Sequence, residues 1–312
     1  MEILFTPPTP VPHLTFAADD LRVINCRALM KIFERYDTIL FDCDGVLWTG
    51  MDPVPGAADA LNKLRDLGKK IIFVTNNSTK NEALLLSAFD ERLGIADIEG
   101  SHVYSSGMSA ASYLKKRLKA GEKVYLIGSP GFKSIMEENG IDFIGYGPLE
   151  NRQVPEWASW EPDPAVKYVA GGMDLHFTHT KMTEAYLYIK EFGATYVASN
   201  VDMTYPMTNR TLPGTGAILS GLTASLGIKP IVTGKPSKTM YDIISEDHDL
   251  GDPERVLMVG DRLDTDIQFG INAGVDTVMV CTGVSAVEEI TEECRPKYVL
   301  DSVVDLFTTD AI

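Results

Sequence analysis

Four short stretches of this chain place polar side chains directly after an apolar run. They are Asp42-Cys43-Asp44-Gly45 after Thr38 to Phe41, Thr75-Asn76-Asn77-Ser78 after Ile71 to Val74, Gly234-Lys235-Pro236 after Ile231-Val232, and Gly260-Asp261-Arg262-Leu263-Asp264-Thr265-Asp266 after Val256 to Val259. Together they hold the groups that phosphoryl transfer requires: a nucleophile in line, cations and N–H donors around the oxygens, and a proton for the leaving group. The Asp42 carboxylate is suited to form an acyl-phosphate, which splits one difficult displacement into two easier ones. Asp44 is placed to protonate the leaving oxygen and then to take a proton from the attacking water, so the two aspartates must titrate apart. Mg²⁺ prefers one or two carboxylates with water and phosphate oxygen, and Asp42 with Asp261 meets that demand. Lys235 offers a compact positive charge, while Thr75 and the N–H of Asn76 add donors. Singly, each stretch reads as an ordinary turn, with Asp264 as a helix cap. The presence of all four at strand ends is what points to chemistry.

Ligands of an open parallel sheet bind at the carboxyl ends of its strands, so these loops need such a sheet to bring them together. The pattern supplies one. Helical spacing at Ala57, Leu61 and Leu64, closed by Gly68, lies between the first two apolar runs and makes a βαβ unit. The rhythm repeats with a strand around Val103 and resumes after Pro230: Ile231-Val232, a helix from Met240 to Ser245, the run Val256 to Val259, a helix from Asp264, and Thr277 to Val280. This predicts a doubly wound α/β core formed by residues 21–117 and 230–312. Between them, residues 118–229 carry short strands at Val124 to Ile127, Val166 to Ala170 and Tyr196 to Ala198, and a proline-rich loop from Tyr146 to Pro164. They are expected to form a second α/β unit inserted into the first. Residues 1–20, rich in Pro, Thr and Asp, read as a loose arm.

Composition narrows the partners. A net charge of −16 over 312 residues disfavours nucleic acid and anionic membrane, since neither offers a counterion gain. No apolar run reaches the roughly 18 to 20 residues that cross a bilayer, and the first residues lack a basic region followed by an apolar one, so a cytoplasmic protein is expected. The four cysteines, Cys26, Cys43, Cys281 and Cys294, show no C-x-x-C spacing and read as reduced thiols.

Phe41-Asp42-Cys43-Asp44-Gly45-Val46-Leu47-Trp48, Phe73-Val74-Thr75-Asn76-Asn77-Ser78-Thr79 and Gly234-Lys235-Pro236, with Pro213-Gly214-Thr215-Gly216 between them, resemble the haloacid dehalogenase superfamily. The branch they are similar to includes 4-nitrophenylphosphatase, phosphoglycolate phosphatase and pyridoxal phosphate phosphatase, and the likeness covers nearly the whole chain after about residue 22. The resemblance implies an α/β fold, with a Rossmann-like doubly wound parallel core and a large inserted α/β cap. It makes Asp42 the nucleophile and Asp44 the acid/base. Mg²⁺ is then held by the Asp42 carboxylate, the Asp44 main-chain carbonyl and Asp261, with Asp266 in support. Thr75, Asn76 and Lys235 bind phosphate, with Asn77 nearby. The implied partner is a small phosphate monoester, 2-phosphoglycolate or 4-nitrophenyl phosphate, and the implied assembly a homodimer through the cap. In pyridoxal phosphate phosphatases a His-Pro pair sits in the substrate loop of the cap, whereas Tyr205-Pro206 stands here, which marks Tyr205 as a substrate residue and sets pyridoxal phosphate second.

Other signals are weaker. His176 and His179 beside Asp174 read as solvated or capping residues, without a third soft ligand nearby. Gly234-Lys235 lacks the Ser or Thr of a nucleotide-binding P-loop, because Pro236 follows. A signalling receiver module also combines a phosphorylated Asp with Mg²⁺, Thr and Lys, but is less than half this length and lacks a large insert. A phosphomutase of the same superfamily carries a helical cap directly after its D-x-D, and Met51 to Leu67 is too short for one.

Overall fold

The computed structural model describes residues 34–207 and 210–306, so the expected arm over residues 1–20, and Cys26, lie outside the described residues. Thr38–Phe41 (β1) is buried at all four positions, as a parallel strand covered on both faces requires. A small hairpin of Trp48–Thr49 (β2) and Asp52–Pro53 (β3) follows, then Lys70–Thr75 (β4) and Val103–Ser105 (β5). The middle of the chain supplies Lys123–Ile127 (β6), Phe143–Ile144 (β7), Val166–Gly171 (β8) and Thr195–Ala198 (β9). After these come the antiparallel pair Thr204–Met207 (β10) and Arg210–Pro213 (β11), and Ile231–Val232 (β12). Val256–Gly260 (β13), Asp276–Val280 (β14) and Tyr298–Leu300 (β15) close the series. Two parallel sheets result, one of six strands in the order β15-β14-β13-β1-β4-β5 and one of five in the order β12-β9-β8-β6-β7.

The helices in chain order are Ala57–Asp66 (α1), Glu82–Leu93 (α2), Ser106–Lys115 (α3), Pro130–Glu138 (α4), His179–Lys190 (α5), Thr215–Leu226 (α6), Lys238–His248 (α7) and Gln268–Ala273 (α8). Strand alternation divides the six-stranded sheet into two faces. Ile39, Phe41, Phe73 and Val259 pack with Leu61 and Leu64 of α1 and Phe89 of α2, while Leu40, Ile72, Val74 and Met258 pack with Met240 and Ile244 of α7 and Phe269 of α8. Each such fully buried side chain contributes roughly 1.5–3 kcal/mol from burial.

Register places the site. The chain winds from β1 to β4 and β5 on one side and later to β13, β14 and β15 on the other, so β1 stands where the strand order reverses. Phe41 lies opposite Val259 and Phe73, which brings the residues just beyond those three strands to one edge.

One expectation is corrected. Ile231–Val232 is not a core strand: it pairs with Val197 and Ala198 of β9 as an edge of the five-stranded sheet. A two-residue apolar run suffices to add an edge strand and carries nothing in its own pattern to say to which sheet. Helix α3 packs Ala110 and Leu114 against Val124, Leu126 and Phe132 of the second unit, while Lys116 at its end pairs with Glu246 of α7 at 2.6 Å, so it lies where the two units meet.

Inside the second unit a polar cluster replaces apolar packing. Lys181 is wholly buried and its ammonium lies 2.5 Å from Asp174. Beside it, Tyr125 donates to Glu184 at 2.8 Å and Arg152 donates to the same carboxylate at 3.2 Å. A buried pair stabilises little against an apolar replacement, but breaking it strands a charge. Lys181→Met is expected to lower unfolding free energy by about 3–5 kcal/mol in urea denaturation, with much of the loss recovered by Lys181→Met/Asp174→Leu; a single-variant loss below about 1 kcal/mol contradicts this assignment.

Candidate active site

Asp42 leaves β1 with its N–H donating to the Val259 carbonyl at 2.9 Å, and its carboxylate is buried. The Lys235 ammonium lies 2.6 Å from Asp42 Oδ1 and 2.7 Å from Asp266 Oδ1, and donates to the Val74 carbonyl at 2.9 Å. It reaches this place from the end of β12, an edge strand of the second sheet, and not from the core sheet as the apolar run suggests. Asp261 completes a group of three carboxylates whose oxygens lie within 4.8 Å of one another. A Cβ on Gly45, whose φ is 90°, would come within 2.5 Å of Asp261 Oδ2, and one on Gly283 within 1.8 Å, so the backbone closes around that carboxylate only because both residues are glycine.

The three carboxylates are not equivalent. Asp266 Oδ2 accepts the N–H groups of Asp261 and Arg262, both at 3.1 Å, so it is committed to the π-helical turn Leu263–Ile267 and to Lys235. Asp261 Oδ2 accepts the Val284 N–H at 2.7 Å, while its Oδ1 is buried with no hydrogen-bond partner among the described residues. One ammonium faces three acidic groups. Burial alone would lower the Lys235 pKa, but the Asp266 and Asp42 charges hold it above the ordinary lysine range. Burial drives the Asp42 carboxyl well above the usual carboxylate range against the attraction of Lys235, and burial followed by the charge of Asp266 raises Asp261 to about 7. A hard divalent cation between Asp42 and Asp261 would supply the missing positive charge and the missing partner of Asp261 Oδ1.

Asp44 lines the cavity above this cluster, and its Oδ1 accepts the Trp48 indole N–H at 3.0 Å. The motif reading gives Trp48 no role. Its ring is buried edge-on to Phe89 at 5.0 Å, with the Arg92 guanidinium 4.8 Å from its centroid, so the donor that orients Asp44 is itself fixed. Between the two aspartates, burial raises the Cys43 thiol, and the charges of Asp42 and Asp44 add to this, so it stays protonated.

The second loop is organised by its own side chains. Thr75 Oγ1 accepts the Asn77 N–H at 3.1 Å, and Asn77 Oδ1 accepts the N–H and hydroxyl of Thr79 at 3.0 and 2.6 Å. The Asn76 side chain is taken up by the Lys235 main chain and by Asp202, so a phosphate contact from Asn76 falls to its main-chain N–H. A cavity of about 750 Å³ opens over these groups, walled by Asp42, Asp44, Thr75, Asn77 and Lys235 on one side and by Met173, Leu175, Tyr205 and Met207 on the other. Tyr205 therefore stands at the wall, partly buried on β10. His176 lines the same cavity but belongs to no metal-capable group among the described residues.

Residues 39–142 match the family model described as haloacid dehalogenase-like hydrolase, and residues 232–306 one described as HAD-hydrolase-like. The chain is 38% identical over 288 residues to 4-nitrophenylphosphatase of Schizosaccharomyces pombe, covering 89% of this chain and 96% of that protein. It is 36% identical over 301 residues to glycerol-3-phosphate phosphatase of Gallus gallus, covering 90% and 96%. Among solved structures, glycerol phosphate phosphatase from Mycobacterium tuberculosis in complex with magnesium superposes with a TM-score of 0.74 at 29% identity, over 88% of this chain and 77% of that one.

Asp261 gives the site a pH signature in the absence of divalent cations. Its carboxyl is raised from an ordinary 3.8 to about 7, so across that window the folded protein keeps a proton that the unfolded chain has released. Stability from this group is therefore present at the acidic end and lost as pH rises, with a slope of about 1.4 kcal/mol per pH unit. Denaturation in EDTA between about pH 5 and about pH 7 should show that slope in the wild type relative to Asp261→Asn; parallel curves contradict the assignment.

Proposed function

The chain belongs to the haloacid dehalogenase-like hydrolases and is a phosphoric monoester hydrolase, and on that premise we propose that it transfers the phosphoryl group of a small phosphate monoester to Asp42 and then hydrolyses the aspartyl-phosphate. The observation that carries this reading is the buried Lys235 ammonium between Asp42 and Asp266, with Asp261 beside them. An Asp42 oxygen attacks phosphorus, the bond from phosphorus to the ester oxygen breaks, and Asp44 gives its proton to the departing alcohol. Water then attacks the same phosphorus, the bond to Asp42 breaks, and Asp44 takes the proton back. Lys235, Thr75 and the Asn76 N–H neutralise the phosphoryl oxygens through both steps. Mg²⁺ bound by Asp42 and Asp261, with the Asp44 main-chain carbonyl, would draw charge from those oxygens as a Lewis acid.

Selectivity falls to the wall of the second unit, because the core groups touch only phosphate. Met173, Leu175, Tyr205 and Met207 give that wall an apolar character suited to an aryl ester such as 4-nitrophenyl phosphate, while Arg92 is a cation of the lining that a carboxylate on the leaving group would meet; the Arg262 guanidinium is held by Asp264 and the Thr204 carbonyl. On that ground 2-phosphoglycolate is ranked first as natural substrate, ahead of pyridoxal phosphate, and the name of the chicken relative adds glycerol 3-phosphate to the comparison. A homodimer through the second unit belongs to the same proposal, supported by exposed Met207, Ile228 and Ile231 on that unit. Among the described residues no helix is long and apolar enough to cross a membrane, and a cytoplasmic place is part of the proposal.

The test is Mg²⁺-dependent phosphate release from 2-phosphoglycolate, glycerol 3-phosphate, pyridoxal phosphate and 4-nitrophenyl phosphate. Asp42→Asn should reduce every rate by at least about a thousandfold while the thermal midpoint is kept. Turnover by the folded variant at the wild-type rate would sink the mechanism.

A further inference from the structure

The Asn76 side chain is fully committed to protein partners. Its Oδ1 accepts the Lys235 N–H at 2.9 Å, and its Nδ2 donates to the Lys235 carbonyl at 3.0 Å. The other amide hydrogen points to Asp202, both of whose carboxylate oxygens lie 3.1 Å from Nδ2. Asn76 follows β4 of the first sheet and Asp202 follows β9 of the second, 126 residues later. One amide thus grips both main-chain polar groups of the lysine and is itself gripped from the opposite unit.

Asp202 is built to be a fixed point. Its N–H donates to Asn200 Oδ1 at 3.2 Å, its carbonyl accepts the Gly216 N–H at 2.9 Å, and Asn200 in turn donates to the Asn76 carbonyl at 2.8 Å. A Cβ on Gly214 would fall 2.3 Å from the Asp202 carbonyl oxygen and one on Gly216 2.1 Å from that of Val201, so the Pro213-Gly214-Thr215-Gly216 stretch acts here as the bed on which Asp202 rests. Burial raises the Asp202 carboxyl to about 6, with Arg262 and the Asn76 hydrogen bond opposing, so near neutral pH it is an ionised acceptor. A charged acceptor holds an amide N–H more firmly than a neutral one.

We propose that Asp202 is a positioning residue for Lys235: it anchors the Asn76 amide, and the amide holds the lysine main chain where the ammonium meets Asp42 and Asp266. The side chain that carries phosphate charge is thereby set by the second unit as well as by the loop that bears it. Asp202 acts through Asn76 and needs no contact with substrate. The inference rests on the phosphate-neutralising role proposed for Lys235.

The experiment compares Asp202→Ala, Asp202→Asn, Asn76→Ala, the double variant Asp202→Ala/Asn76→Ala and Lys235→Ala. It reads kcat and KM for 4-nitrophenyl phosphate with Mg²⁺, and inhibition by inorganic phosphate. Asp202→Ala should lower kcat by about tenfold and weaken phosphate inhibition by a similar factor, the size of one charge-assisted hydrogen bond. Asp202→Asn, whose carbonyl oxygen can accept the same N–H, should restore both to within about threefold, and the double variant should be no worse than Asn76→Ala alone. A role confined to folding would lower the melting midpoint and leave kcat per folded molecule and phosphate inhibition unchanged, which overturns the proposal. So do additive losses in the double variant, or failure of Asp202→Asn to rescue, which would assign a function to the charge itself. If Asp202→Ala does not fold, Asp202→Ser, too short to reach the amide, takes its place. Full activity in Lys235→Ala would remove the lysine role and this inference together; an inactive Lys235→Ala beside an unaffected Asp202→Ala removes the inference alone.

Discussion

The Lys235 ammonium, buried between Asp42 and Asp266, is the interaction on which the remaining architecture depends. A lone ammonium is expensive to bury, and so is a group of carboxylates; each is tolerable here because the other is present. The balance is incomplete, since one cation faces Asp42, Asp261 and Asp266. That residual negative charge suits the site to a divalent cation, which together with Lys235 would offer a phosphate dianion positive charge inside a chain whose net charge is −16. The geometry therefore separates the local field from the global one, as an anionic substrate requires.

Two constraints hold the lysine in place. The first is the β1 register, which delivers Asp42, Thr75 and Asp261 to one sheet edge by pairing Phe41 with both Val259 and Phe73. The second is the meeting of the two units at Asn76, which follows β4 of the first sheet and is shared by Asn200 and Asp202, beyond β9, and by Lys235, beyond β12, all from the second sheet. The cavity then lies between a wall that is chemically fixed and a wall made of Met173, Leu175, Tyr205 and Met207. Such a division lets the reaction stay constant while the leaving group that is accepted varies.

Much of this was legible in the residues because the signals are local. Runs such as Thr38 to Phe41 and Val256 to Val259 are apolar at every position because both faces of a parallel sheet are covered, and the residue after each run must stand at the sheet edge. Ile231-Val232 was legible as a strand but not as a member of the second sheet, since two residues hold no record of their neighbour. Trp48 and Asp202 were missed for another reason. Their roles are hydrogen bonds to Asp44 and Asn76 that depend on a turn closing and on two units meeting, and neither leaves a periodicity. Asn76 was legible as a polar residue at a strand end, yet its side chain is taken up by the Lys235 main chain and Asp202. The Gly45 and Gly283 positions become informative only once Asp261 is seen between them.

The central claim is that Asp42 carries the phosphoryl group between the two half-reactions. The most direct measurement is to quench the enzyme during turnover of 4-nitrophenyl phosphate, reduce it with tritiated borohydride and map the label by peptide mass spectrometry. An acyl-phosphate at this position is reduced to homoserine, so the account predicts homoserine in place of Asp42, dependent on both substrate and Mg²⁺. Rapid turnover with unmodified Asp42, or with the label on another residue, would contradict it.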